Sequence, residues 1–202
     1  MKNQELEVKF YVIDLPAIRN MAKEINAVLA QERTFESNLR FDTPDGTLTR
    51  NFQVLRLRQD TAARLTFKGP AGSLGGARLR PEIEFVVGDF ETARVFLEAL
   101  GYQVKMTYEK YRTVYDLEGV HITLDELPYG NFVELEGPDP ESIHHVNEQL
   151  HLDWDAQIIL SYTALFERLR DERNYPFQDL TFENFKEIDI TPDILHVTPA
   201  DR

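Results

Sequence analysis

Cysteine is absent from the 202 residues, which removes disulfides, thiolate metal sites and cysteine nucleophiles together and suits a reducing compartment. No two histidines stand four apart, so the helical zinc signature is missing as well. No apolar run approaches the length of a membrane span, and the N-terminus is charged without an apolar leader. The expectation is a cytoplasmic protein that binds no membrane. Positive charge is scarce, with 22 Lys and Arg against 35 Asp and Glu and a net charge of -13. A generic nucleic-acid or acidic-membrane surface is thereby excluded, because such partners are drawn by positive potential. Any polyanion would have to be held in a locally basic place. Glycine and proline crowd together in Gly69-Pro70-Ala71-Gly72-Ser73-Leu74-Gly75-Gly76. No Gly-Lys-Ser/Thr follows, so this is not a phosphate-binding P-loop, and a mobile hairpin connection is expected.

What is present is organised around the first strand, Glu5-Leu6-Glu7-Val8-Lys9-Phe10. Side chains alternate faces along a strand, so Glu5, Glu7, Lys9 and Tyr11 share one face and Leu6, Val8, Phe10 and Val12 the other. The pattern recurs in Glu82-Ile83-Glu84-Phe85 and Glu134-Leu135-Glu136-Gly137. Each copy is followed by an Asp, at 14, 89 and 139, and then by an apolar stripe of helical period. Aspartate is a good N-cap, since its carboxylate accepts the unpaired amide protons of a first helical turn. The stripes run Ile18, Met21, Ile25, Val28; then Phe90, Ala93, Leu97, Leu100, stopped by Gly101; then Ile143, Val146, Leu150 after Pro140. The chain carries an internal repeat of strand followed by capped helix.

Between these copies, strands are expected near 35–42, 52–60 and 63–69, then 104–116, 119–126 and 130–137, with a fourth helix near 156–170. Arg56 and Arg58 share a face, as do Arg64, Thr66 and Lys68; Arg78, Arg80, Glu82 and Glu84; Lys110 and Arg112; His121, Thr123 and Asp125. Residues 1–170 read as one domain. The proline-punctuated extension 171–202 holds Phe177, Phe182 and Phe185 and is expected to pack on that body.

Helices with apolar stripes need apolar sheet to pack on. The apolar strand faces therefore lie outward under helices, and the charged faces line a cavity. Enclosed charges are costly unless paired or bound. Clustered carboxylates suit hard divalent cations, and clustered arginines and lysines suit phosphate. Strand-end Arg64 and Arg78 are expected at the rim, His144 and His145 in solvent, and His121 as a hydrogen-bonding wall.

The series Glu5-x-Glu7-x-Lys9, Phe41-Asp42-Thr43-Pro44-Asp45-Gly46, Leu55-Arg56-Leu57-Arg58, Thr66-Phe67-Lys68-Gly69, Glu82-Ile83-Glu84, Lys110-Tyr111-Arg112, Leu124-Asp125-Glu126, Gly130-Asn131-Phe132-Val133-Glu134-Leu135-Glu136 and Ser161-Tyr162 resembles the CYTH domain, or triphosphate tunnel metalloenzymes. That family includes class IV adenylate cyclases, thiamine triphosphatases and inorganic triphosphatases. The resemblance implies an α+β fold: a closed eight-stranded antiparallel β-barrel with helices packed outside, built from two related βαβββ halves. It further implies a Mg²⁺- or Mn²⁺-dependent enzyme acting on a small-molecule triphosphate, as a monomer or homodimer. Carried over by residue, Glu5, Glu7, Asp125, Glu134 and Glu136 would serve the metal. Lys9, Arg56, Arg58, Lys68, Arg80, Lys110 and Arg112 would clamp phosphates, and Glu82, Glu84 and Lys9 would act in catalysis. Triphosphate hydrolysis is the leading expectation, with adenylate cyclisation and a non-catalytic polyphosphate-binding module as alternatives. Asn38 and Arg40 stand where the family often has Asp and Tyr, which changes the charge near one end of the tunnel.

Overall fold

The computed structural model describes residues 4–202, so the first three residues of the expected 1–170 unit lie outside the described residues. Nine strands form one antiparallel sheet: β1 (Gln4–Val12), β2 (Val28–Asp42), β3 (Val54–Gln59), β4 (Ala63–Lys68), β5 (Gly72–Leu74), β6 (Ala77–Val87), β7 (Gln103–Leu117), β8 (Val120–Leu127) and β9 (Gly130–Glu136). Eight of them run β1-β9-β8-β7-β2-β3-β4-β6, and pairing of β6 with β1 closes the ring; β5 is a short strand on β6. Each of the eight thereby has two neighbours, although not along its whole length: β6 beyond Pro81 pairs only with β4, and β2 before Ser37 only with β7.

The helices are α1 (Leu15–Glu24), α2 (Thr47–Arg50), α3 (Phe90–Ala99), α4 (Pro140–Gln149), α5 (Tyr162–Arg173) and α6 (Pro192–Leu195). The repeat is thus β1-α1-β2-β3-β4 followed by β6-α3-β7-β8-β9. The first strand of each half pairs with the last strand of the other, β1 with β9 and β6 with β4. Each long repeat helix starts at the expected aspartate: Asp14, Asp89 and Asp139 accept from the amides of Ala17, Thr92 and Ser142 at 2.9, 2.7 and 2.9 Å. Outward-facing Leu6, Val8, Phe10, Ile122, Leu124, Val133 and Leu135 pack with Leu15, Ile18, Ile143 and Val146 from α1 and α4. A smaller cluster joins Phe41, Leu55 and Leu57 to Leu97 of α3.

Several boundaries differ from the sequence expectation. Val28 does not extend the α1 stripe but opens β2, because Asn26 takes a left-handed turn at φ 63° that ends the helix. The glycine-rich segment is not wholly a loop, since Gly72–Leu74 pairs with β6. The fourth helix begins at Tyr162 rather than near 156, after Ser161 caps Ala164. Nor do helices cover the entire outer wall: Ile83 and Phe85 on β6 are exposed, as are Phe96 on α3 and Leu100 just after it.

One mouth of the barrel is filled. Inward-facing Tyr11, Tyr108 and Phe132 meet Tyr129, Tyr162, Leu165, Phe166, Leu180 and Phe185 in an aromatic cluster contributed largely by α5 and the C-terminal segment. Gly130, at φ 149°, makes the turn under this cluster. A Cβ there would lie 2.5 Å from the Tyr11 ring, so only glycine fits. The C-terminal segment is tied by backbone as well: Leu180 bonds both Thr107 and Glu109, and Ala200 bonds Tyr11.

Candidate functional site

The barrel interior is a cavity of about 540 Å³ lined by the charged strand rows. Among its walls are Glu5, Glu7 and Lys9 of β1, Glu36 and Arg40 of β2, Arg56 and Arg58 of β3, Lys68 of β4, Arg78, Arg80, Glu82 and Glu84 of β6, Tyr108, Lys110 and Arg112 of β7, and Glu134 and Glu136 of β9. The alternation of each strand delivers these side chains inward while its apolar partners face the helices.

Across β7, β8, β9 and β2 the charges form a paired network. Arg112 is bidentate to Asp125 at 2.7 and 2.5 Å and reaches Glu134 at 2.6 Å. Lys110 meets Asp125 at 3.0 Å, and Lys9 meets Glu134 at 3.1 Å. Tyr162 Oη donates to the same Asp125, and Lys9 lies 4.2 Å from the centre of the Tyr162 ring. Burial opposes ionisation of Glu134, yet Lys9, Arg112 and Lys110 hold its pKa well below the usual carboxylate range. Glu36, only 1% exposed, faces Lys110 at 3.6 Å and Arg58 at 3.8 Å. Burial would raise its pKa, but Lys110, Arg112, Arg58 and Arg56 bring it to about 2. Glu84 takes bonds from Arg56 at 3.2 Å, Arg58 at 2.9 Å and Thr66 at 2.7 Å. The Tyr108 hydroxyl accepts from Arg56 at 3.1 Å.

Carboxylates are crowded elsewhere in the cavity. Lys68 bonds Glu5 at 2.6 Å and Glu82 at 3.0 Å. Arg78 comes within 3.7 Å of Glu7. Burial raises the pKa of Glu5, and the Glu82 charge adds to it against the pull of Lys68. Burial, then Glu134 and Glu5, raise that of Glu7. Glu136, reached by solvent, is pushed up to about 7 by packing among its neighbours and by the charges of Glu5, Glu7 and Glu82, against the pull of Lys68.

Among the described residues no three carboxylates or imidazoles are gathered closely enough to hold a metal ion alone. Mg²⁺ commonly takes one or two protein carboxylates and completes its shell with water and substrate oxygens. Glu5, Glu7 and Glu136 fit that role, because burial first and neighbouring carboxylates second raise their proton affinity, and a divalent cation would offset both. Asp125 and Glu134 are instead saturated by cations.

The sequence-derived site residues line the cavity with one exception, Asp125, which lies behind the wall and bonds Lys110 and Arg112. Arg80 is turned away from the other cations: its guanidinium donates to the Gly69 and Phe52 carbonyls at 2.6 and 3.5 Å. Arg64 pairs with Asp60 and lies 3.9 Å from Glu84, while Arg78, expected at the rim, lines the cavity. His121 lines the wall but is half exposed and lies 3.3 Å from Asp116. Glu36 and Tyr108 were not singled out from sequence. Strand alternation marks Glu36, since it shares the row of Asn38 and Arg40; its three cationic neighbours come from other strands.

Residues 3–161 match the sequence model of the CYTH domain, and the chain belongs to that family. An adenylate cyclase CyaB of Aeromonas hydrophila is 29% identical over 136 residues, covering 65% of this chain and 67% of that protein. The X-ray structure of a candidate adenylate cyclase from Vibrio parahaemolyticus is 26% identical, covers 83% of this chain and 99% of its own, and superposes with a TM-score of 0.75. A candidate adenylyl cyclase from Hippeastrum, described as having a dominant triphosphatase activity, is 20% identical over 81% of this chain and 95% of its own, with a TM-score of 0.61. This last likeness speaks for the fold alone.

Proposed function

We propose that the protein is a divalent-metal-dependent triphosphatase that hydrolyses a triphosphate held inside the barrel. The observation that carries this reading is the division of one cavity into a crowded carboxylate group, Glu5, Glu7, Glu82 and Glu136, and a cationic group built on Arg56, Arg58, Lys110 and Arg112. Mg²⁺ or Mn²⁺ bound by Glu5, Glu7 and Glu136 would supply Lewis-acid polarisation of phosphate oxygens. Arg58, Arg112, Lys110 and Lys9 would hold the phosphates and stabilise the charge that develops as water adds to the terminal phosphorus and the bridging P–O bond breaks. Glu36, Asp125, Glu134 and Glu84 hold those cations in place, so little reorganisation is needed when substrate enters. Glu84, with three donors on its oxygens, serves this reading as an orienting group for Arg56 and Arg58.

Adenylate cyclisation is the second reading, favoured by the Aeromonas relative. It requires a base and ribose pocket that places the 3′ oxygen in line with the α-phosphorus. The cavity wall is dominated by charged and hydroxyl side chains, with Val54 and Val114 its aliphatic members, which supports hydrolysis. The deciding experiment incubates the protein with tripolyphosphate, thiamine triphosphate and ATP, each with Mg²⁺ or Mn²⁺, and identifies the products. Orthophosphate release, abolished by EDTA and by Glu7→Gln, is expected. Cyclic AMP and pyrophosphate with little orthophosphate would reverse the order of the two readings, and no product at all would favour a binding module.

A further inference from the structure

We propose that Arg40, with the hydroxyls of Ser161 and Thr163, forms a subsite for a free terminal phosphate, so that the cavity selects a linear inorganic polyphosphate over a nucleoside triphosphate. The inference rests on the triphosphate-binding reading above and names its substrate class.

Arg40 stands directly opposite Arg56 in the β2–β3 register, and both side chains line the cavity. Like charges directly opposite across a strand pair repel. Arg56 is compensated by Glu84 at 3.2 Å. Arg40 is not: among the described residues no carboxylate lies within 4.0 Å of it, and its side-chain hydrogen bond goes to the neutral Thr163 hydroxyl. Arg80 also lacks a carboxylate, but two backbone carbonyls accept its donors. Arg40 therefore keeps unused donors, since a guanidinium carries five, and unlike Arg58 at 2.9 Å from Glu84 and Arg78 at 3.7 Å from Glu7 it has no carboxylate beside it among the described residues.

Ser161 and Thr163 line the same wall at the start of α5, where that helix closes the barrel mouth. Neutral hydroxyls add donors without a compensating negative charge. An ionised terminal phosphate here would satisfy Arg40 bidentately and relieve its repulsion with Arg56. A nucleoside in the same place would leave Arg40 desolvated and without an anion, still facing the Arg56 guanidinium.

The test is calorimetric titration of the full chain in EDTA, where binding is read without turnover, using sodium tripolyphosphate and ATP against wild type, Arg40→Gln, Arg40→Lys and Thr163→Val. Arg40→Gln should weaken tripolyphosphate about tenfold or more, the loss of a charge-assisted bidentate contact, and ATP by less than about twofold. Arg40→Lys should restore part of the loss, and Thr163→Val should show a smaller loss confined to tripolyphosphate. Equal losses for the two ligands, an unchanged tripolyphosphate affinity, or a wild type that fails to bind tripolyphosphate would overturn the proposal. Should Arg40→Gln not fold, the Lys and Thr163 variants carry the same comparison. A wild type that binds tripolyphosphate with this selectivity yet releases no orthophosphate would sink the hydrolase reading and leave the subsite standing.

Discussion

Tyr162 Oη donates to Asp125 Oδ2 at 2.8 Å, joining the helix that closes the barrel mouth to the carboxylate that holds Arg112 and Lys110. The ring also lies against Lys9, and Tyr129 Oη bonds the Tyr162 carbonyl at 2.8 Å. Tyr162→Phe keeps the ring and removes only the hydroxyl. A loss of about 1.5–3 kcal/mol is expected, the range for a hydrogen bond to a charged group. Urea unfolding checks it, and an unshifted midpoint would mean that Asp125 is fully satisfied by its two cations.

Glu36 is the buried counter-ion of Lys110, Arg112 and Arg58. Replacing it by Gln leaves those cations with less compensation, at a cost on the order of 3 kcal/mol in the empty protein. An anion bound in the cavity should recover much of that loss. Thermal unfolding of Glu36→Gln with and without tripolyphosphate should show a larger ligand-induced rise in Tm than wild type, and an equal rise would place Glu36 outside the anion's reach.

Glu136 gives the stability a pH dependence of definite sign. Its folded pKa of about 7 lies above the ordinary carboxylate value of 4.5, so the folded state binds the extra proton. This contribution is fully present below about pH 4.5 and is lost as pH rises through about 7. Metal-free protein should therefore lose stability between pH 5 and pH 8, by a modest amount because solvent reaches the group, and Glu136→Gln should flatten that slope. Mg²⁺ should oppose the loss at the upper end. A stability that rises over this interval in EDTA would contradict the crowding of Glu5, Glu7 and Glu136.

Leu180 is fully buried in the aromatic cluster, and its backbone bonds Thr107 and Glu109 on either side of Tyr108. Leu180→Ala should cost about 2–5 kcal/mol, as for other large-to-small core changes. Because Tyr108 holds Arg56, the variant should also weaken tripolyphosphate binding measured well below its unfolding temperature. Stability lost without any change in binding would separate the C-terminal segment from the site.

Strand alternation made most of the cavity wall legible. Glu5, Glu7 and Lys9, or Arg56 and Arg58, face inward because a two-residue period leaves no other choice once the helices claim the apolar rows. The same alternation carries Glu36, Asn38 and Arg40 inward, yet Glu36 reads as one more acidic residue in an acidic chain until its neighbours are known. Arg80 shows the opposite limit. Its parity is inward as expected, but Gly69, just after β4, is held against β6 by its bond to the Pro81 carbonyl, and the guanidinium turns to the Gly69 carbonyl.

The sequence alone determined the repeated strand-helix unit, the three aspartate caps and the sorting of charge to one strand face, because these depend on residues near one another in the chain. Which carboxylate meets which cation was decided by the tertiary structure. Closing β1 onto β6 brings Lys68, at the end of the first half, back to Glu5 at its start, and the β2–β3 register places Arg40 against Arg56 with no carboxylate beside Arg40. A barrel's shear is a property of the closed ring, and no single strand encodes it.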